Sequence, residues 1–251
     1  MLMNTLFNSK QETEMISEIE TQNTRRYDLD WLRVIAIVLL IFFHTGMIFV
    51  ADWGWHIKNN PTSEIFQEWM FFLSRWRMAL LFFISGTGTY YLLSMRTSGK
   101  YIWERFKRLF IPLVFGMLVI VPPQIYFERL TQGQTYSYLE FYKYVFHFQP
   151  YPKGNFSWHH LWFIAYLFIY SLVGLPIFLW WKSNSGKTFI NSFSNLVSKL
   201  SIYFLALPLI LVYITLIDKY PGPQNIVKDL TMLIYYFLFF LFGYFVNLNT
   251  L

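Results

Sequence analysis

The run VIAIVLLIFFHTGMIFVA at residues 34–51 contains no Asp, Glu, Lys or Arg. A helix needs about 20 mostly apolar residues to cross the roughly 30 Å hydrocarbon core of a bilayer, and this run is close to that length. Backbone groups in lipid are satisfied only in helices and closed barrels, and the sequence lacks the alternation typical of barrel strands. Five further runs share these properties: 78–95, 109–127, 161–181, 200–217 and 230–251. The pattern predicts an all-α integral membrane protein, a multi-pass helical bundle of about six transmembrane helices.

The composition agrees with this fold class. The 251 residues are 55% hydrophobic and 14% charged, whereas soluble domains have about 25% charged residues. A net charge of +6 is explained by basic loops next to anionic lipid, so the predicted partner is the bilayer and no nucleic acid. The chain has no cysteine, which excludes disulfides, thiolate catalysis and cysteine-based metal sites.

The distribution of basic residues predicts the orientation. Residues 1–26 form a polar tail, and 27–251 form the predicted transmembrane domain. Lys and Arg are nearly twice as frequent in the tail and the loops on its side as in the opposite loops, so we expect a cytoplasmic N-terminus in the cell (inner) membrane. The aromatic-rich segment 128–160 predicts a short interfacial helix near 138–148. The last apolar run reaches Leu251 without a polar tail, which leaves open a short C-terminus or the N-terminal part of a longer protein.

The first apolar run carries a polar stripe. Arg33 and His44 are 11 positions apart, which on an α-helix is about 20° of net rotation and ~16.5 Å of rise, so both lie on one face. Asp30 is three residues before Arg33 and is placed to pair with it. Two interpretations stay open for each residue. Arg33 is an interfacial anchor or a functional group, and His44 is bonded to a neighbouring helix or is a general base.

Two further groups of arginines are candidate substrate-binding residues. Arg75 and Arg77 lie beside Trp76 at the predicted outer end of the second run, where arginines are commonly anchors. The small residues deeper in the run, at 85–88, are suited to close helix packing. Arg105 and Arg108 precede the third run on the predicted inner side. The orientation rule explains them adequately, and they are also suited to the phosphates of a nucleotide-bearing donor.

The five histidines give no metal-ligand spacing. His159 and His160 are adjacent, and adjacent side chains on a helix point about 100° apart, so we interpret them as interfacial residues. His56 and His147 lie in other outer segments. The sequence predicts no metal site.

Four elements in this order resemble the membrane acyltransferase family 3 proteins. They are LDWLR followed by His44, with ten residues between Arg33 and His44; RMALLFFISG at 77–86; RFKRLFIP at 105–112; and HLWFIAYLFIY at 160–170. The resemblance covers residues 27 to about 250 and is nearest to the branch related to membrane proteins that modify periplasmic glucans. Members of the family have about ten spans, so the resemblance also implies that several C-terminal spans are absent.

The resemblance implies transfer of an acyl group to a hydroxyl of a carbohydrate or glycan, as in O-acetylation. The implied co-substrate is an acyl-CoA, with no permanently bound cofactor. The matching histidine, His44, would activate the acceptor hydroxyl or assist acyl transfer, and Arg33 would hold the donor or orient the site. Arg75 and Arg77 lie near the family's arginine-bearing segment, and their spacing does not decide which of them matches.

Two other hypotheses stay open. A transporter or permease for an anionic solute would also suit the polar residues Arg33, His44, Arg75 and Arg77. Movement of a solute in the absence of an acyl donor would indicate this function. Alternatively, the chain is an inactive truncated remnant. This would be indicated if the chain failed to restore acylation in an assay in which a longer relative succeeded.

Overall fold

In the computed structural model, the described residues are 26–200, 202–221, 226 and 228–248. Over these residues the secondary structure is helical, apart from two isolated bridges, Val50 with Ser63 and Pro150 with Phe156. The predicted all-α class is therefore confirmed. The chain divides into two compact units, Met1–Val38 and Leu39–Leu251. The predicted tail, apart from residue 26, lies outside the described residues.

The first unit contains the beginning of helix α1, which spans Tyr27–Gly46. Asp30 and Arg33 form an ion pair of 3.7 Å, as their spacing predicted. Apolar side chains in this part of the helix are largely exposed, with Trp31 at 67%. Lipid would cover such side chains on a spanning helix.

The second and third helices are longer than their apolar runs. Helix α2 spans Glu64–Met95, and the Ser63 hydroxyl caps it by accepting from the Phe66 N–H. Helix α3 spans Ser98–Thr131 and contains two wider π-helical turns, Phe106–Phe110 and Gly116–Ile120. Each wide turn ends just before a proline, Pro112 or Pro122, which has no N–H with which to continue the regular hydrogen-bond ladder.

The remaining α-helices are shorter or lie across the bundle. A capping box of Ser137 and Glu140 begins helix α4, so the helix expected near 138–148 is present, while its interfacial location stays a prediction. Hydrogen bonds from the Ser137 N–H and hydroxyl lower the pKa of Glu140. The bounds are α4 Tyr138–Val145, α5 Trp162–Lys182, α6 Asn184–Leu200, α7 Ala206–Leu216 and α8 Leu230–Phe245, with short 3-10 helices at Met47–Phe49, His159–Leu161 and Ile202–Leu205.

Four of the described helices are long and apolar enough to cross a membrane: Tyr27–Phe49, Glu64–Met95, Ser98–Thr131 and His159–Lys182. The segments Asn184–Leu200 and Tyr203–Leu216 meet at 112° and would count together as a fifth, bent span. Helix α8 has 16 residues and is shorter than the usual span. The multi-pass character is thus confirmed, whereas the count of six is not.

Helices α2 and α8 pack closely through small residues. A Cβ on Gly86 would collide with the carbonyl oxygen of Phe240, and a Cβ on Gly243 with that of Phe83. The Thr87 hydroxyl donates to the Gly243 carbonyl oxygen at 2.8 Å. The small residues of the second run therefore serve close helix packing, as expected.

Candidate active site

The second unit encloses a cavity of about 1530 Å³ that is lined by both polar and aromatic side chains. Its walls come from the end of α1, the first half of α2, α3, the start of α5, α7, α8 and the segments that precede α2, α5 and α8. Three residues predicted from the sequence as site residues line it: His44, Arg75 and Arg77. The fold therefore brings together in one cavity polar groups that are separated in the sequence.

His44 is half-buried, and its hydrogen bond fixes its tautomer. Nδ1 lies 2.8 Å from the carbonyl oxygen of Leu40, one turn earlier on α1. A carbonyl oxygen only accepts, so Nδ1 carries the proton. In the neutral ring, Nε2 then keeps a lone pair, and this atom can take a proton from a hydroxyl. The predicted role as a general base is compatible with this geometry, which does not test it.

His160 lies beside His44 in the lining of the cavity. Their ring centroids are 6.3 Å apart with the planes at 77°, and Trp55 also packs edge-on against His44 at 5.8 Å. Nδ1 of His160 donates to Oε1 of Gln124 at 3.0 Å. Both imidazoles therefore have Nδ1 engaged, and in each neutral ring Nε2 is the basic nitrogen. The ring of His160 lines the cavity beside His44, and the interpretation of this residue as interfacial stays a prediction.

Arg77 is the buried cation of this cavity. The residue is only 3% exposed, and its guanidinium lies 4.2 Å from the centre of the Phe43 ring. Its Nε and Nη1 atoms have no hydrogen-bond partner among the described residues. Buried cations without a partner are costly, so Arg77 holds donors that suit an oxygen-rich or anionic ligand in the cavity.

Arg75 lies on the more exposed side of the same wall. Its guanidinium stacks over the Phe71 ring at 3.8 Å, and the residue is exposed. The structure thus separates the two arginines that the sequence left equivalent, since Arg77 points to the interior and Arg75 stays at the edge.

The other predicted residues lie outside this cavity or in the first unit. Arg105 donates from Nη2 to the Thr89 hydroxyl at 2.8 Å, and Arg108 is exposed. Neither lines the cavity. Asp30 and Arg33 belong to the first unit, where they pair with each other.

Asp229 is a cavity residue that the sequence did not single out. It is 2% exposed and accepts a hydrogen bond from the Tyr166 hydroxyl at 2.9 Å. Its position directly before the last apolar run was the available signal, because an acid at the end of a span is costly without a partner.

A second polar group lies at the edge of the cavity. Nδ1 of His56 is 2.8 Å from Oε2 of Glu128, and Oε1 of Glu128 accepts from the Tyr151 hydroxyl at 2.7 Å. The ring of His159 stacks on that of His56, with centroids 4.7 Å apart. Burial, followed by the neighbouring Glu128, raises the pKa of Tyr151 to about 12, so its hydroxyl stays a donor. The interpretation of His159 as an interfacial residue likewise stays a prediction.

The sequence profile of the acyltransferase domain family matches residues 26–250 of this chain. The chain belongs to this acyltransferase family. Among curated proteins, this acyltransferase-family chain is 27% identical to glucans biosynthesis protein C of Salmonella typhi over 188 residues, which are 73% of this chain and 47% of the relative. The protein of the same name from Salmonella paratyphi B is 28% identical over 163 residues, 63% and 40% of the two chains. The chain spans about half the length of these relatives. No solved structure matches it significantly.

The family match confirms the resemblance seen in the sequence. The matched range contains the Arg33 and His44 element and both arginines of α2. It does not assign roles to these residues, so the roles rest on the geometry of the cavity.

Proposed function

We propose that this acyltransferase-family chain transfers an acyl group from an acyl-CoA donor to a hydroxyl of a carbohydrate or glycan, with a glucan as the first acceptor to test. Family membership supports the transfer reaction, and the name of the relatives, glucans biosynthesis protein C, suggests the acceptor class. The observation that carries the proposal is the pairing, in one cavity, of a histidine with its Nε2 basic and a buried arginine with unpartnered donors.

His44 acts in this proposal as the general base. Its Nε2 takes the proton of the acceptor hydroxyl while the hydroxyl oxygen forms a bond to the thioester carbonyl carbon. The tetrahedral intermediate then loses its carbon–sulfur bond, and the departing thiolate takes the proton back from His44. The products are the O-acyl ester and the coenzyme A thiol, with no net change in His44.

Arg77 supplies the positive charge that this intermediate needs. The carbonyl oxygen becomes negative as the hydroxyl attacks, and donors already in place at that point stabilise the transition state. Arg77 sits over Phe43, whose ring packs against that of His44 with centroids 5.7 Å apart. The base and the cation therefore share a wall of the cavity.

The proposal also includes an arrangement of the helices in the membrane. We propose six spans, with α6 and α7 forming one bent span and α8 another, and a cytoplasmic N-terminus in the inner membrane. In this orientation Arg105 and Arg108 lie on the cytoplasmic side, where they would bind the phosphates of the donor. Arg33, paired with Asp30, would help to hold the donor, and Arg75 would meet the acceptor at the outer edge.

The test is an acyl-transfer assay in membranes. Two membrane preparations are compared. One contains this chain, and the other contains this chain joined to the remaining C-terminal part of a Salmonella glucans biosynthesis protein C. Each receives isotope-labelled acyl-CoA and purified glucan. Label in ester linkage to the glucan in either preparation supports the proposal. Its absence from both, when the intact Salmonella protein is active in the same assay, contradicts it.

A further inference from the structure

The edge of the cavity brings together two imidazoles and a carboxylate that are far apart in the sequence. His56 precedes α2, Glu128 lies near the end of α3, and His159 begins the segment that leads into α5. One ligand atom from each of the three lies within 4.8 Å of the other two. The proposed acyl transfer uses none of these three residues.

The local hydrogen bonds satisfy Glu128 but not His159. Glu128 is buried at 6% exposure, and its only ion-pair partner among the described residues is His56. The neighbouring Arg129 turns away and donates to the carbonyl oxygens of Pro152 and Gly154. Neither ring nitrogen of His159 has a hydrogen-bond partner in the part of the chain that the structure describes. A buried polar group without a partner is costly, and buried charges are either paired or bound to a metal.

The backbone at His159 is also in an unusual conformation. Its φ is 41°, in the left-handed region that residues other than glycine seldom adopt. This turn sends His160 toward His44 and His159 toward Glu128, so the adjacent histidines serve two different groups. Strained residues of this kind cluster at functional sites, where the surrounding structure holds them.

We propose that His56, Glu128 and His159 bind a divalent transition-metal cation, with Zn²⁺ as the best match. Two imidazoles and one carboxylate are a ligand set found in zinc enzymes, in which a fourth position stays open to water or substrate. His56 and His159 line the cavity, so the open position would face it. This proposal departs from the sequence-based prediction of no metal site, which considered only the spacing of the histidines along the chain.

The surroundings of Glu128 suit such a site. Tyr151 and the side-chain amide of Gln132 both donate to Oε1, at 2.7 and 3.4 Å, while Oε2 faces His56. Ligating carboxylates are commonly held by hydrogen bonds of this type. Tyr151 thus orients the carboxylate through Oε1, and Oε2 would bind the metal in place of its present hydrogen bond with Nδ1 of His56.

A metal-binding measurement without acyl donor tests the site independently of acyl transfer. The chain is purified in detergent, stripped with a chelator and titrated with Zn²⁺, and bound zinc is measured by mass spectrometry and calorimetry. We expect one Zn²⁺ per chain. His159→Ala and Glu128→Gln should abolish stoichiometric binding, while Tyr151→Phe should weaken it by roughly 10- to 100-fold, as for other residues that support a ligand. His147→Ala removes an exposed histidine nearby and should bind Zn²⁺ like the wild type.

A second measurement covers variants that fail to fold. Co²⁺ in the wild-type protein should give the visible absorption bands of a four-coordinate nitrogen and oxygen site, and Zn²⁺ should displace it. Zn²⁺ should also raise the melting temperature of the wild type and not that of folded His159→Ala. Less than stoichiometric Zn²⁺ in the wild type would overturn the proposal. Equal binding by the wild type and both ligand variants would mean an adventitious ion only, and would overturn it as well.

Discussion

The imidazole rings of His44 and His160 are neighbours in the lining of one cavity, with their centroids 6.3 Å apart and their planes nearly perpendicular. Each Nδ1 is held by an oxygen acceptor, the Leu40 carbonyl for His44 and the Gln124 side chain for His160. In each neutral ring Nε2 is therefore the nitrogen able to accept a proton. A cavity-bound hydroxyl within hydrogen-bond distance of one of these atoms would be placed for general-base catalysis.

His160 should influence the acyl-transfer step through His44. We expect His160→Ala to lower kcat by about 10-fold, less than the ~10²–10⁴ lost with a general base itself, and to alter the pH dependence of kcat. Steady-state transfer of labelled acyl groups over a range of pH is the measurement. His147→Ala is the matched control, because His147 is exposed and contacts only the Tyr144 ring among the described residues. Equal kcat and pH profiles for His160→Ala and the control would refute the role.

Arg77 should matter more to turnover than to substrate binding. Arg77→Gln keeps a polar side chain but loses the charge, and removal of a donor to a developing oxyanion costs about 10²–10³ in kcat. The control is Arg96→Gln, which removes an exposed arginine paired with Glu104 at 3.5 Å. Exposed ion pairs contribute about 0–1 kcal/mol, so the control should keep its rate. A higher KM with unchanged kcat in Arg77→Gln would contradict this role, because it would mean that Arg77 binds the substrate and the transition state equally strongly.

The close contact of α2 and α8 should make Gly86 intolerant of a side chain. Gly86→Ala places a methyl group against the Phe240 carbonyl, and overpacking of this kind costs about 1–3 kcal/mol. Gly99→Ala is the matched control, because nothing lies within 4 Å of its Cβ position. Since alanine is favoured over glycine in helices by up to about 1 kcal/mol, the control should be as stable as the wild type or more stable. Thermal unfolding in one detergent compares the three proteins, and equal midpoints would contradict the packing account.

The sequence was most informative where lipid dictates structure. Charge-free runs must form helices in a bilayer, and α1, α2, α3 and α5 contain such runs. The sequence was less informative where a helix is polar or where its length differs from that of the apolar run. Helix α6, Asn184–Leu200, is too polar to stand out by hydropathy and begins between the apolar runs 161–181 and 200–217. Helix α7 is shorter than its apolar run because a 3-10 helix precedes it.

The candidate site could be predicted in part for the same reason. His44 stands out because a polar group inside an apolar run is costly, and Arg77 because it directly precedes such a run. The roles of His159 and His160 could not be read from spacing, because a single left-handed φ at His159 sends the two rings to different partners. The contact of His56 with Glu128 joins residues 72 positions apart, and no local pattern predicts such a pair.

The central claim is that His44 is the base of an acyl-transfer reaction, and the most direct measurement is the rate of ester formation on glucan by His44→Ala. The assay uses whichever form of the chain is active, at saturating acyl-CoA, with His147→Ala and an equal amount of folded protein in each membrane. We predict a loss of about 10²–10⁴-fold for His44→Ala and none for His147→Ala. Undiminished acylation by His44→Ala would contradict the account.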